Sequence, residues 1–350
     1  MDLSKAYYRV DWDFLKVAME RMGFQQQWIN WVMACVCSVK YAVNFNRNLL
    51  DAFTPTRGLR QGDPLSPYLF LIVAEDLSCV IKEAIITKDL EEFKICRTAL
   101  GISHLLFADD SLLFFRASEH QAVIIRDAIK IFERASGQQV SKQKCALLFG
   151  PHCSEVVQEN IMSILRTVHA SFDDKYLGLP VPEGRMKCGR FQGTMEKLGK
   201  RLSGWTNRHL SVGGKEVLIK SVAQAFPTYV MGVFKLSAEF CEEYMNLIRN
   251  FWWGDEPDKR KVDWIAWEKM MMPKFMGGLG FRDMKLFNQA LLARQAWRLI
   301  LFPNSLCARL LKTRYYPNGD LVDTILKSDS SPSWKGIEHG LDLLKQGLIW

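Results

Sequence analysis

Two adjacent carboxylates, Asp109 and Asp110, stand between the apolar runs His104-Leu105-Leu106-Phe107-Ala108 and Ser111-Leu112-Leu113-Phe114-Phe115. Short bulky runs meeting at a tight polar junction predict a β-hairpin. That geometry constrains the chain strongly, because it sets two anions side by side at a turn, where each opposes ionisation of the other. Hard divalent cations relieve such repulsion by taking carboxylate oxygens. An isolated Asp-Asp pair is most often a solvated acidic turn, so the junction gains meaning only from segments elsewhere.

Two such segments precede it. The first is Met1-Asp2-Leu3-Ser4-Lys5-Ala6-Tyr7-Tyr8-Arg9-Val10, and the second is Arg57-Gly58-Leu59-Arg60-Gln61-Gly62-Asp63-Pro64-Leu65-Ser66-Pro67. Taken in order with the acidic hairpin, they resemble motifs A, B and C of reverse transcriptases, in particular those of the LINE-type (non-LTR) retrotransposons common in plant genomes. Tyr176-Leu177-Gly178-Leu179-Pro180 resembles motif E of that family. Gly277-Gly278-Leu279-Gly280-Phe281-Arg282-Asp283 and Phe287-Asn288-Gln289-Ala290-Leu291-Leu292 resemble its region after the polymerase. One motif alone is weak; the ordered set is specific and covers nearly all of the chain.

The resemblance implies an α+β fold: a polymerase palm with an antiparallel sheet and packed helices over residues 1–180, then a mainly helical thumb and following region over 181–350. It implies an RNA-directed DNA polymerase acting on an RNA template, a DNA primer and deoxynucleoside triphosphates. Such chemistry uses two Mg²⁺ ions, replaceable by Mn²⁺, about 4 Å apart, which clamp the attacking and leaving oxygens. By the same resemblance Asp2 and Asp109 bridge the ions and Asp110 completes the cluster. Tyr7 takes the place of the aromatic gate against a ribonucleotide 2′-hydroxyl, while read as plain structure it is a core aromatic. Gln61 and Gly62 match the residues that support template and incoming base; as plain structure they belong to a loop entering a helix that Pro64 can open. Lys144 matches the lysine that protonates pyrophosphate, with Lys142 an equally placed rival.

There are departures. Where the family reads Ala-Tyr-Asp-Arg-Val, this chain has Ala6-Tyr7-Tyr8-Arg9-Val10, a phenol for a carboxylate beside the active-site strand. The likeness starts at motif A, so the fingers, which carry the basic grip on the triphosphate, lie outside it. With a free α-amino group beside Asp2 as well, the expectation is a palm impaired in catalysis. The alternative is a non-catalytic nucleic-acid binder with a basic helical second half.

Charge supports nucleic-acid contact there. Of the +8 net charge, residues 1–180 supply 20 Lys and Arg against 21 Asp and Glu, and residues 181–350 supply 26 against 17. Basic surfaces bind phosphate backbones by releasing condensed counterions. Eight of eleven tryptophans share that half, but Trp252, Trp253, Trp264, Trp267 and Trp297 sit among apolar neighbours and read as core. At 350 residues about two domains are expected, and 48% hydrophobic content suffices for their cores. No apolar run reaches the ~18–20 residues of a membrane span. The nine cysteines show no zinc spacing and read as reduced, mostly buried thiols of an intracellular protein; nuclear action follows from the resemblance alone.

Helices are expected near 13–22, 27–38, 64–86, 191–206, 215–225, 238–252 and 288–301. Strands are expected at 41–46 and 144–149. Ser118-Glu119-His120-Gln121 has the form of a capping box opening a helix that Gly137 stops, with Val123, Ile124, Ala128, Ile131, Phe132 and Ala135 at helical spacing. Residues 180–184 read as a linker and 254–261 as a polar loop. From about Pro317 the chain is rich in Asp, Ser, Pro and Gly and reads as poorly ordered.

Overall fold

The computed structural model describes residues 1–167, 175–180, 189, 191–206, 210–254, 264–324 and 330–347. Two compact units divide the chain, Met1–Asp173 and Asp174–Trp350. Most of the linker 180–184 and of the polar loop 254–261 lies outside the described residues.

In the first unit a bridge-forming segment at Asp2 and Leu3 leads into α1 (Ala6–Arg9), α2 (Trp12–Arg21) and α3 (Gln26–Cys37). The Asp11 carboxylate accepts from the Phe14 N–H and so caps α2. A small hairpin, β1 (Asn44–Phe45) and β2 (Asn48–Leu49), stands where a longer strand was expected, extended only by a bridge between Tyr41 and Phe53. Helix α4 (Ser66–Ile86) begins two residues after Pro64, and Pro67 occupies its first turn. Leu69, Val73, Leu77 and Ile81 recur every four residues along one buried face, beside Phe70.

The acidic junction forms the expected hairpin, with β3 (His104–Phe107) antiparallel to β4 (Asp110–Leu113) and Phe107 opposite Asp110. The two-residue turn carries Ala108 at φ 50°, a region that favours glycine. Ala108→Gly is therefore expected to raise the unfolding free energy by about 0.5–1 kcal/mol in urea titrations.

Helix α5 (Glu119–Ser136) is capped by Ser118, whose hydroxyl accepts from the Gln121 N–H, and ends at Gly137 with φ 74°. Its buried face is Gln121, Ala122, Ile125, Ala128, Phe132 and Ser136, rotated from the expected one; Ile131 is exposed. The strand expected at 144–149 is absent apart from a bridging position at Ala146. The N–H groups of Lys144 and Cys145 instead turn back onto the Ser141 carbonyl. Helix α6 (Glu155–Leu165) closes the unit. Its core joins Leu3, Val10, Leu15, Ile29, Phe70, Ile125 and Phe132, each burial contributing about 1.5–3 kcal/mol.

The second unit opens with a hairpin, β5 (Lys175–Tyr176) and β6 (Leu179–Pro180), whose turn residues Leu177 and Gly178 both have positive φ. The described residues beyond it are mainly helical: α7 (Gln192–Thr206), α8 (Val212–Leu218) running into a π-helical turn, α9 (Thr228–Met231), α10 (Ala238–Trp253), α11 (Trp267–Met271), α12 (Met284–Leu301), α13 (Leu306–Tyr315) and α14 (Pro332–Gly347). Asp283 caps α12 by accepting from the Lys285 and Leu286 N–H groups. Buried Asn288 then ties α12 to the segment after α9, donating to the Met231 and Phe234 carbonyls and accepting from the Leu236 N–H.

Helix α14 corrects the expectation of disorder near the end of the chain, although residues 325–329 lie outside the described ones. Trp334, 1% exposed, stacks on Tyr315 at 4.3 Å and on Tyr316 at 5.8 Å, and this burial offsets the poor helix formers around it. Trp267 is core as expected, whereas Trp264 is 82% exposed and Trp297 is also exposed. Among the described cysteines, all unpaired, only Cys145 and Cys241 are buried, fewer than expected.

Candidate active site

Asp2 reaches the acidic hairpin through backbone pairing. It forms an antiparallel bridge with Asp110, while Leu3 bridges Val140. The Ser111 N–H donates to the Met1 carbonyl at 3.0 Å, and the Met1 ammonium donates back to the Ser111 carbonyl at 2.7 Å. On the other side the Ser141 N–H donates to the Asp2 carbonyl and the Ser4 N–H to the Gln139 carbonyl. The Asp2 segment is thus held between β4 and residues 139–141. Side chains directly opposite in such a pair share a face with Cβ atoms about 4.5–5.5 Å apart.

The electrostatics follow from that placement. Burial, then the charges of Asp109 and Asp2, hold the Asp110 carboxyl above its ordinary value, against the pull of the Met1 ammonium and Lys144. Asp2 Oδ1 is buried without a hydrogen-bond partner among the described residues, and Lys144 Nζ stands 3.6 Å away on a side chain 68% exposed. A buried acceptor of this kind, facing a second carboxylate, suits a hard cation. Asp109 lies in the exposed hairpin turn and acts on Asp110 through charge. Among the described residues no three carboxylate, imidazole or thiolate groups gather closely enough to hold an ion.

The structure separates the two lysines: Lys144 faces Asp2, whereas Lys142 lines a different pocket with Arg9. Tyr7 stacks on Phe70 at 5.1 Å and packs against the core of its unit. Gln61 and Gly62 lie in an exposed loop, Gly62 at φ 86°, and this loop is docked onto the segment after Asp2. The Leu59 N–H donates to the Tyr7 carbonyl, the Gly58 N–H to the Val10 carbonyl, and Trp12 Nε1 to the Gly58 carbonyl. A Cβ on Gly58 would lie 2.8 Å from the Tyr8 carbonyl oxygen, which is why glycine stands there.

Sequence reasoning missed two partners. The Tyr8 hydroxyl donates to Gln61 Oε1 at 2.9 Å, so the phenol at the departing position engages the loop that carries Gln61 and Gly62. The departure itself was the available signal. His104 lies 2.8 Å from Ser78 Oγ and 2.9 Å from Ser103 Oγ, tying β3 to α4, and no local pattern announced it.

Residues 1–181 match the family model described as reverse transcriptase (RNA-dependent DNA polymerase). The chain belongs to the reverse transcriptase family. It is 42% identical over 126 residues to an uncharacterized mitochondrial protein of Arabidopsis thaliana, covering 36% of this chain and 82% of that protein. It is 33% identical over 176 residues to a putative ribonuclease H protein of Arabidopsis thaliana, covering 49% of this chain and 28% of the relative. It is 29% identical over 149 residues to the retrovirus-related Pol polyprotein from type-1 retrotransposable element R2 of Nasonia vitripennis, covering 42% of this chain and 14% of the relative. These likenesses support a plant-like non-LTR reverse transcriptase, an RNA-directed DNA polymerase by family resemblance. The family generally uses divalent metals. No described helix is long and apolar enough to cross a membrane.

In this reverse transcriptase, burial first and the charge of Lys82 next push the His104 imidazole below its ordinary value, opposed by Glu75. The unfolded chain therefore takes up the proton first as pH falls, and stability present above about pH 6.5 is lost as pH drops through the folded value. Urea unfolding between pH 7.5 and 5 is expected to show this loss, with a flatter profile for His104→Gln.

Proposed function

We propose that the first unit is a polymerase palm of the kind that extends a DNA primer on an RNA template, impaired in that reaction by the features its sequence shows, with the helical second unit as thumb and following region. The observation that carries this reading is the Asp2–Asp110 pair, set opposite one another on adjacent strands with Asp2 Oδ1 buried and lacking a hydrogen bond. Asp2 and Asp110 would hold the divalent ions, with Asp109 adding charge from the turn. When bound, such ions activate the primer hydroxyl and neutralise the leaving pyrophosphate. The protein's share of the work is positioning and electrostatics, as in other phosphoryl transfers.

Lys144 would give a proton to the departing pyrophosphate oxygen; its nearness to Asp2, 3.6 Å from an exposed side chain, supports it over Lys142 for this role. Tyr7, braced by Phe70, acts as the gate against a 2′-hydroxyl. Gln61, held by Tyr8, and Gly62 support the template and incoming base. The basic excess beyond residue 180 contacts the duplex backbone.

The test is primer extension on an RNA template with Mg²⁺, using the full chain and an Asp109→Asn control. Extension that disappears in the control supports the polymerase. Because no three ligands gather among the described residues, a second reading stands: a palm that binds primer-template without extending it. Salt-sensitive duplex binding with no extension decides for that reading. If neither occurs, both fail.

A further inference from the structure

Lys144 is rooted in the same backbone that holds Asp2. The Ser141 N–H donates to the Asp2 carbonyl at 2.9 Å, and the Ser141 carbonyl accepts from the N–H groups of Lys144 and Cys145 at 3.0 and 3.1 Å. Cys145, buried, anchors the far side of that turn. The base of the lysine is therefore fixed, while its flexible four-carbon stem stands in solvent. Lys142, two residues earlier, lines a different pocket, so the turn brings one lysine of the two to the carboxylates.

At 3.6 Å from Asp2 Oδ1, Lys144 Nζ is too far for a hydrogen bond, and charge alone holds the contact. No hydrogen-bond donor among the described residues reaches that oxygen. The Met1 ammonium nearby is engaged by the Ser111 carbonyl at 2.7 Å. Among the described residues Lys144 is thus the side-chain cation paired with Asp2, and its charge also acts on Asp110.

Such a contact is exchangeable. An exposed ion pair adds little in water, whereas a divalent ion brings twice the charge and approaches carboxylate oxygen to about 2.0–2.1 Å in the case of Mg²⁺. The Asp2 side chain is itself 25% exposed, so a cation from solvent can reach it. One carboxylate does not hold both cations at close range, because they repel each other.

We propose that Lys144 is an internal counter-cation of Asp2 that competes with a divalent cation for that carboxylate, so that metal binding and release of the Lys144 ammonium are one event. The inference rests on the polymerase reading for its metal and adds an order to it. The ammonium becomes available to a leaving group only once Asp2 holds its ion. Such coupling is reciprocal: removing the lysine charge strengthens the ion, and adding the ion loosens the lysine.

The experiment is Mn²⁺ titration of the full chain at low ionic strength, with the free ion counted by electron paramagnetic resonance and Mg²⁺ as competitor. Lys144→Met, which keeps the length and removes the charge, is expected to bind Mn²⁺ roughly two- to fivefold more tightly, the range of an exposed ion pair. That gain should shrink as salt is added. Lys144→Arg keeps the charge and is expected to stay near the parent. Lys142→Met is also expected to match the parent, which separates the local contact from net charge. In the reverse direction, reductive ¹³C-methylation keeps lysine charged. The Lys144 methyl signal, assigned by its loss in Lys144→Arg, is expected to move with Mg²⁺ at the midpoint found by competition. Unchanged Mn²⁺ affinity in Lys144→Met overturns the proposal, as does an equal gain in Lys142→Met or no Mn²⁺ binding by any variant. Tighter Mn²⁺ binding by Lys144→Met without primer extension by any form would sink the polymerase reading and leave this one standing. Primer extension by the parent with no change of Mn²⁺ affinity in Lys144→Met would do the reverse.

Discussion

An Asp110→Asn variant is expected to lose about 10³-fold in primer extension while gaining folding stability at neutral pH. The rate arm follows from removing one of two facing carboxylates, a loss of roughly 4 kcal/mol of transition-state stabilisation. The stability arm has the opposite sign because the folded protein resists ionising this group. Burial, Asp109 and Asp2 hold the Asp110 carboxyl above its ordinary value, so the unfolded chain releases the proton first. The parent's stability is therefore complete below the ordinary carboxylate value and falls as pH rises through the folded one. Asparagine carries no charge and escapes that fall. Urea unfolding of parent and variant at pH 3 and pH 7 measures it: the gap should open only at pH 7. An equal gap at both values would assign the effect to packing rather than charge. Higher stability paired with lower activity is the usual trade at strained catalytic sites.

The second large effect lies in the other unit. Gly340→Ala is expected to destabilise the fold by ~3 kcal/mol or more, lowering Tm by about 6–12 °C. Helix α14 crosses α12 so closely that a Cβ at position 340 would sit 2.2 Å from the Ala293 nitrogen and 2.3 Å from the Leu292 carbonyl carbon. These are backbone atoms and cannot rotate aside, so the helices would have to separate and loosen the packing around Trp334 and Leu341. Gly199→Ala, in α7, meets nothing within 4 Å and is expected to gain about 0.8–1.0 kcal/mol from helix propensity. Thermal unfolding followed by circular dichroism separates the two; a neutral Gly340→Ala would mean that α14 does not lie against α12.

What was legible in the sequence was local. The Ser118 cap, the Gly137 stop and the Asp109–Asp110 hairpin follow from residue chemistry within a few positions, and the structure shows each. The four-residue apolar rhythm of α4 likewise belongs to the chain itself. The errors arose where distant contacts decide. Residues 144–149 have strand-like composition, but the Ser141 carbonyl captures two N–H groups and turns the chain away. The segment containing α14 is rich in residues that disfavour helix, and distant packing holds it as one: Trp334 stacks on Tyr315 and Tyr316, and Gly340 lets the helix press against α12. Trp264 sits among apolar letters yet projects outward, because sequence neighbours are not packing neighbours. At the site, Asp2 and the hairpin were identified by motif order, whereas the Tyr8–Gln61 bond and the Lys144–Asp2 contact depend on pairings between residues far apart in the chain.

The backbone pairing of Asp2 also sets an order of assembly. Its strand partners come from Asp110–Ser111 on one side and Gln139–Ser141 on the other, more than a hundred residues later in the chain. Closing loops of that length carries an entropic penalty that local helices avoid, so contacts between near neighbours form sooner. Helices α2 to α5 can therefore take shape while Asp2 is still unplaced, and the carboxylate pair comes together only when the last strand segment docks. During synthesis, the earliest of the three carboxylates to be translated is among the last parts of the first unit to reach its position.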